Sequence, residues 1–222
     1  MNKIIGIVVV LFFYVGTMAQ TTYFPSKKGM VMEYISKDAK GKVKGYSRTT
    51  IKDIVGAIGN QTVTLEVQAF NAAKNSEGQP FNFQVTILED KIVFDPKAMF
   101  PGMTDVSMEI TGTGNMIPKS ISVGQTWPDA EATMSINMGF SKMSSVVKMT
   151  ERKVLSKETI TVAAGTYECF KVQQVVIVTA PMGKPVKQKQ ITWYADGIGQ
   201  VKMEIYDENN QLTSIEELNS IQ

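Results

Sequence analysis

Residues 62–69 read Thr62-Val63-Thr64-Leu65-Glu66-Val67-Gln68-Ala69, and this stretch decides the fold. Val63, Leu65, Val67 and Ala69 fall on one side of an extended chain, while Thr62, Thr64, Glu66 and Gln68 fall on the other. Successive side chains of a strand point to opposite faces, so period-two alternation predicts a strand with one dry face and one wet face. The pattern recurs in Phe81, Phe83, Val85 and Ile87. It recurs again in Ala132, Met134, Ile136, Met138 and Phe140, separated by Thr133, Ser135, Asn137 and Gly139.

Between these runs stand clusters with turn chemistry: Asp38-Ala39-Lys40-Gly41, Gly59-Asn60, Asn75-Ser76-Glu77-Gly78, Glu89-Asp90-Lys91, Met182-Gly183-Lys184-Pro185 and Asp207-Glu208-Asn209-Asn210. Gly, Asn and Asp tolerate the tight backbone of hairpin turns, so each cluster joins two antiparallel strands. Only Asp95-Pro96-Lys97-Ala98-Met99-Phe100 has helix-start chemistry, with Asp95 as N-cap and Pro96 in the first helical position. The expectation is an all-β fold: one antiparallel meander with at most one short helix. A sheet of about ten one-sided strands is too wide to stay flat and should curl into a barrel or half-barrel.

The first residues carry an address rather than structure. Lys3 precedes an apolar run from Ile4 to Val15, and Gly16-Thr17-Met18-Ala19 supplies small residues before Gln20. A charged start, an apolar stretch too short to span a bilayer and a small-residue site form a secretory signal peptide. Residues 1–19 are therefore read as the signal and residues 20–222 as a single β domain, exported to the periplasm or secreted. Residues 20–222 contain no transmembrane segment on this reading.

Composition narrows the function. The chain has 222 residues, 43% of them hydrophobic, and 23 basic against 21 acidic side chains leave a net charge of +2. Without a basic block to track a phosphate backbone, nucleic acid is not an expected partner. Histidine is absent, which removes the usual general base of Ser and Cys triads and the commonest metal ligand. The chain is accordingly read as no enzyme, with no cofactor and no metal, and as a monomer. Cys169 follows the alternation of its strand and is read as a packing thiol.

Several segments resemble those of a group of exported Bacteroidota proteins labelled TapB-like, built on a domain of unknown function. The fullest is Lys157-Glu158-Thr159-Ile160-Thr161-Val162-Ala163-Ala164-Gly165-Thr166-Tyr167-Glu168-Cys169-Phe170-Lys171-Val172. Ile117-Pro118 with Val123-Gly124-Gln125-Thr126-Trp127-Pro128-Asp129 is similar too, as are Trp193-Tyr194-Ala195-Asp196-Gly197-Ile198-Gly199-Gln200-Val201-Lys202 and Ser214-Ile215-Glu216-Glu217-Leu218. The resemblance implies export and a curved β architecture similar to the half-open barrels of lipoprotein carriers. It implies no activity.

Eight of the 14 methionines lie from Met99 to Met149. Soft thioethers could hold Cu(I), with Met99, Met103 and Met108, or Met134, Met138 and Met143, as ligands. Met134 and Met138 alternate with Ile136 and Phe140, however, and that favours a core or an adaptable cavity. Trp127 beside Asp129 could receive a sugar, but Pro128 also simply ends one strand before the next. Two functions follow. In the first, the concave face holds a lipid or other apolar ligand against Phe81, Phe83, Met134, Ile136, Met138, Phe140 and Trp193. In the second, a solid-cored module of the cell envelope meets a protein or glycan.

Overall fold

The computed structural model describes residues 22–25, 27–100, 108–137 and 142–222. Residues 1–19, read above as a signal, therefore lie outside the described residues, as do Met103, Met138 and Phe140. In the described chain the strands are β1 (Val31–Asp38), β2 (Val43–Ala57), β3 (Asn60–Asn71), β4 (Ser76–Leu88), β5 (Lys91–Phe94), β6 (Met108–Thr113), β7 (Asn115–Pro118), β8 (Ala130–Asn137), β9 (Lys142–Val162), β10 (Gly165–Thr179), β11 (Val186–Ala195), β12 (Gly199–Tyr206) and β13 (Leu212–Ile221). All thirteen join one antiparallel sheet in the order β6-β8-β9-β10-β11-β12-β13-β1-β2-β3-β4-β5-β7. The expected all-β meander is what forms. The additional strands are short pieces such as β5 and β7, too brief to display an alternation of their own.

Connectivity itself forces the sheet to curl. β6 and β7 are its two opposite edges, yet only Gly114 separates Thr113 from Asn115 in the chain. Successive Cα atoms are about 3.8 Å apart, so the two edges meet and the sheet is nearly closed. Gly114 is needed at this junction, because a Cβ there would sit 2.8 Å from Cγ1 of Val93. The remaining seam is laced by Arg152 of β9, whose Nη1 donates to the Pro128 carbonyl at 3.0 Å and Nη2 to the Met116 carbonyl at 2.9 Å. The guanidinium also lies over Trp127, 5.2 Å from the ring centre.

Hairpins of a meander alternate between the two ends of the barrel. One end carries the turns at 58–59, 89–90, 163–164 and 196–198, and the other those at 39–42, 72–75, 180–185 and 207–211. The N-terminal segment plugs the first end. Gly197 N–H donates to the Thr22 carbonyl at 2.7 Å, and Thr22 N–H to Asp196 at 2.8 Å. Tyr23 then meets Phe170 edge-on at 5.7 Å, and Phe24 meets Phe94 at 5.8 Å. Beneath this plug lies the main core, with Ile51, Val63, Val85, Ile92, Val154 and Leu218 all fully buried.

The helix-start chemistry yields a single 3-10 turn, Pro96–Met99, with the Asp95 carboxylate accepting from Lys97 N–H at 2.8 Å. Four residues suffice to turn the chain and deliver Met99 and Phe100 onto Ala132, Met134, Val147 and Val176, a second apolar cluster. Pro101 follows at once in sequence and disfavours a helical Phe100 before it.

Candidate ligand-binding site

Inside the barrel is a cavity of about 390 Å³. Its two walls differ in chemistry. On one side Leu65 and Val67 of β3, Phe83 of β4, Phe94 of β5, Ile117 of β7 and Met149 of β9 present an apolar surface. The other wall is built by neighbouring strands whose inward residues change character along the barrel axis. Moving away from the plug, β2 presents Ile51, Thr49 and Ser47; β10 presents Val172 and Gln174; β11 presents Tyr194, Thr192 and Gln190; and β13 presents Leu218 and Glu216. Each series steps by two residues, which keeps it on the inner face. The space is therefore apolar near the plug, and beyond it polar groups appear on this wall while Val67, Met149 and Met203 keep part of the lining apolar.

The polar groups are partly bonded to one another. Gln174 Nε2 donates to Gln190 Oε1 at 2.9 Å, and Gln200 Nε2 to Glu216 Oε2 at 2.7 Å. Ser47 Oγ reaches the other Glu216 oxygen at a long 3.4 Å. Burial holds the Glu216 carboxyl above the usual carboxylate range, while the bonds from Gln200 and Ser47 pull it back down. Tyr34 donates to the Gln200 carbonyl at 3.0 Å, and its phenol is pushed well up, mainly by burial and then by the Glu216 charge. Asn115 Oδ1, also on this lining, is buried without a partner. Among the described lining residues Glu216 is the one carboxylate, and no lysine or arginine faces it.

The residues singled out from the sequence are distributed unequally around this space. Phe83 lines it, and Phe81, buried, stacks on Phe83 at 5.7 Å. Met134 belongs to the neighbouring cluster with Met99 and Phe100, while Met108 and Met149 pack against its edge. Ile136 lies two residues farther along β8, opposite Met143. Met138 and Phe140 are outside the described residues. Trp193 does not line the cavity: it alternates with Thr192 and Tyr194, which do, and so faces the outside of the barrel. There it is buried among Ile191, Ala195, Cys169 and Val201, between the Lys171 and Lys202 ammonium groups, each 5.0 Å from the ring, and its Nε1 donates to Glu158. Aromatic character alone does not reveal which side of a strand a residue occupies.

The alternation of apolar residues does not single out the polar lining residues Gln174, Gln190, Gln200 and Glu216. A signal for two of them exists in the sequence, because Gln174 sits in phase with the apolar inward Val172 and Glu216 with Leu218. A polar residue in the dry phase marks a wet interior. Trp127 is buried against Arg152 and Tyr194, so it offers no exposed platform for a sugar. Cys169 is likewise fully buried, and burial pushes its thiol up to about 11. A larger groove, about 700 Å³, runs over the outer threonines of β6 and β8 beside the Lys148–Glu131 ion pair, and has the polar character of a solvated face.

Two solved structures share this architecture. A candidate lipoprotein from Parabacteroides distasonis superposes with a TM-score of 0.74 at 19% identity, covering 91% of this chain and 99% of its own. A candidate exported protein with YmcC-like fold from Bacteroides fragilis gives 0.75 at 18% identity with the same coverage. At such identities the likeness concerns the fold. No match was found among curated proteins. The DUF3108-like family model matches residues 27–218, a span that takes in the whole sheet up to the last strand and every segment of the resemblance noted above. The chain therefore belongs to the DUF3108-like family, whose defining domain is one of unknown function.

Proposed function

We propose that this protein is an exported, non-catalytic binding or carrier protein that holds one lipid-like amphiphile inside its barrel. The carrying observation is the two-sided polarity of the cavity: apolar at the plug, with Phe24, Leu65 and Phe83, and farther along faced by Gln174, Gln190 and Glu216 on one side and by Val67 and Met149 on the other. A packed core would have no use for polar side chains on its inner face, since a buried polar group without full hydrogen bonding costs stability. A ligand with an apolar tail and a polar head meets both requirements. The volume of about 390 Å³ lies within the range typical of small-molecule pockets. The absence of histidine and the buried, hard-to-ionise Cys169 support the non-catalytic reading. Export to the periplasm or medium rests on the sequence of residues 1–19.

The test is uptake of N-phenylnaphthylamine, which fluoresces in apolar surroundings, followed by displacement with medium-chain amphiphiles. Saturable uptake at one molecule per chain supports the proposal. A barrel that takes up neither the probe nor any amphiphile instead favours a solid envelope module that acts through its outer surface.

A further inference from the structure

We infer that Glu216 selects the ligand's head group, so that the cavity prefers amphiphiles whose head donates hydrogen bonds and carries no negative charge. This rests on the binding reading above and sharpens it. A carboxylate has room for about four hydrogen bonds. Glu216 receives one good bond, from Gln200 at 2.7 Å, and one long bond, from Ser47 at 3.4 Å. Its remaining accepting capacity faces the cavity, which it lines.

The strands could have neutralised this group and did not. Glu217, the next residue, points outward and is paired with Lys37 at 2.6 Å. Lys202, on the adjacent strand, is likewise outside, paired with Glu204 at 2.8 Å and set over Trp193. The cations nearest to Glu216 on the sheet thus lie on the outer face, and the buried Arg152 is committed to the Pro128 and Met116 carbonyls at the seam. A buried carboxylate is retained at a cost unless something satisfies it, and the groups left to do so are water or a ligand. A second carboxylate brought beside it would be repelled in a space of low dielectric. An amine or hydroxyl head would instead donate to it, and the Gln174–Gln190 pair, on the same lining two strands away, offers further bonds to a larger head.

The experiment is displacement of N-phenylnaphthylamine from the full mature chain by three amphiphiles with the same twelve-carbon chain: dodecylamine, monododecanoylglycerol and dodecanoate. The amphiphiles are kept below their micelle-forming concentrations and the pH slightly alkaline. The expected result is displacement by the amine and the glyceride at concentrations about tenfold or more below dodecanoate, the change that one hydrogen bond to a charged group produces. Glu216→Gln should erase most of that preference and Glu216→Asp should keep its sign, with both variants retaining the wild-type far-ultraviolet spectrum. Equal displacement by dodecanoate in the wild type, or an unchanged preference in Glu216→Gln, overturns the selector role while leaving the binding reading intact. Failure of all three amphiphiles and of the probe itself overturns both. The amine and glyceride arms, compared with each other, tell a cationic head from a neutral one.

Discussion

Replacing Arg152 by Met removes the clamp on the barrel's seam while keeping an unbranched side chain of similar reach. Two bonds from the guanidinium disappear, to the Pro128 carbonyl at 3.0 Å and the Met116 carbonyl at 2.9 Å. Hydrogen bonds to a charged group contribute about 1.5–3 kcal/mol each. The stacking over Trp127 at 5.2 Å adds about 0.5–2 kcal/mol. Against this, the guanidinium is only 3% exposed, and burial lowers its pKa, so its removal recovers a desolvation cost. Pro128 is exposed, and water can take over its carbonyl. The net expectation is a loss of about 2–4 kcal/mol, which for a domain of this size lowers Tm by about 4–16 °C. Calorimetry reads the total. Hydrogen exchange reads the location, because a seam clamp should loosen the amides of β5 and β7, while the β10–β11 hairpin, tied by its own ladder, stays protected. Arg152→Lys should fall between, since an ammonium cannot reach both carbonyls in a fixed fork. A Tm within about 1 °C of wild type for Arg152→Met would refute the clamp.

Three further outcomes follow from the same structure. Val67→Trp puts a large ring into the cavity space from the apolar wall, so it should abolish probe uptake with little change in Tm; a loss of about 1–3 kcal/mol with overpacking would mean the space is already filled. Glu216→Gln should stabilise the protein at neutral pH. Burial raises the folded-state pKa above the ordinary 4.5, so the wild type is relatively most stable below that value and loses stability as pH rises from there toward the folded value. The difference between the two proteins should therefore fade in mild acid, and a pH-independent gap in chemical denaturation would contradict this. Iodoacetamide should leave Cys169 unmodified in the native protein and label it fully in denaturant, because the thiol is buried and its pKa stands at about 11; rapid native labelling, seen by intact mass, would count against the packing described for the outer cluster.

The sheet was legible because half-buried strands state their own phase. Val63, Leu65 and Val67 alternate so plainly with Thr62, Thr64 and Glu66 that strand, face and hairpin follow from residue order alone. Closure was legible as a necessity of width, but its mechanism was not. That β6 and β7 should be the two edges depends on pairings between strands far apart in sequence, such as Val93 with Met116, which no local pattern encodes. The cavity was half legible. Phe83 could be assigned to the inner face from its alternation, whereas Trp193 could not, because an outer face can bury an aromatic ring under lysine stems as readily as an interior can. Glu216 and Glu217 are adjacent acids of the same type, and composition alone does not tell them apart. Phase with the buried Leu218 sends Glu216 inward and Glu217 outward, and the register of β13 against β1 and β12 brings Glu216 to Gln200 and Ser47.

Native mass spectrometry of the mature protein, purified from its own envelope fraction without detergent, tests the occupied-barrel claim most directly. The expected result is a population carrying one amphiphile per chain, lost in Val67→Trp and regained when the bare wild type is incubated with monododecanoylglycerol. A chain that flies only at its bare mass, before and after incubation with amphiphiles of every head group, would contradict it.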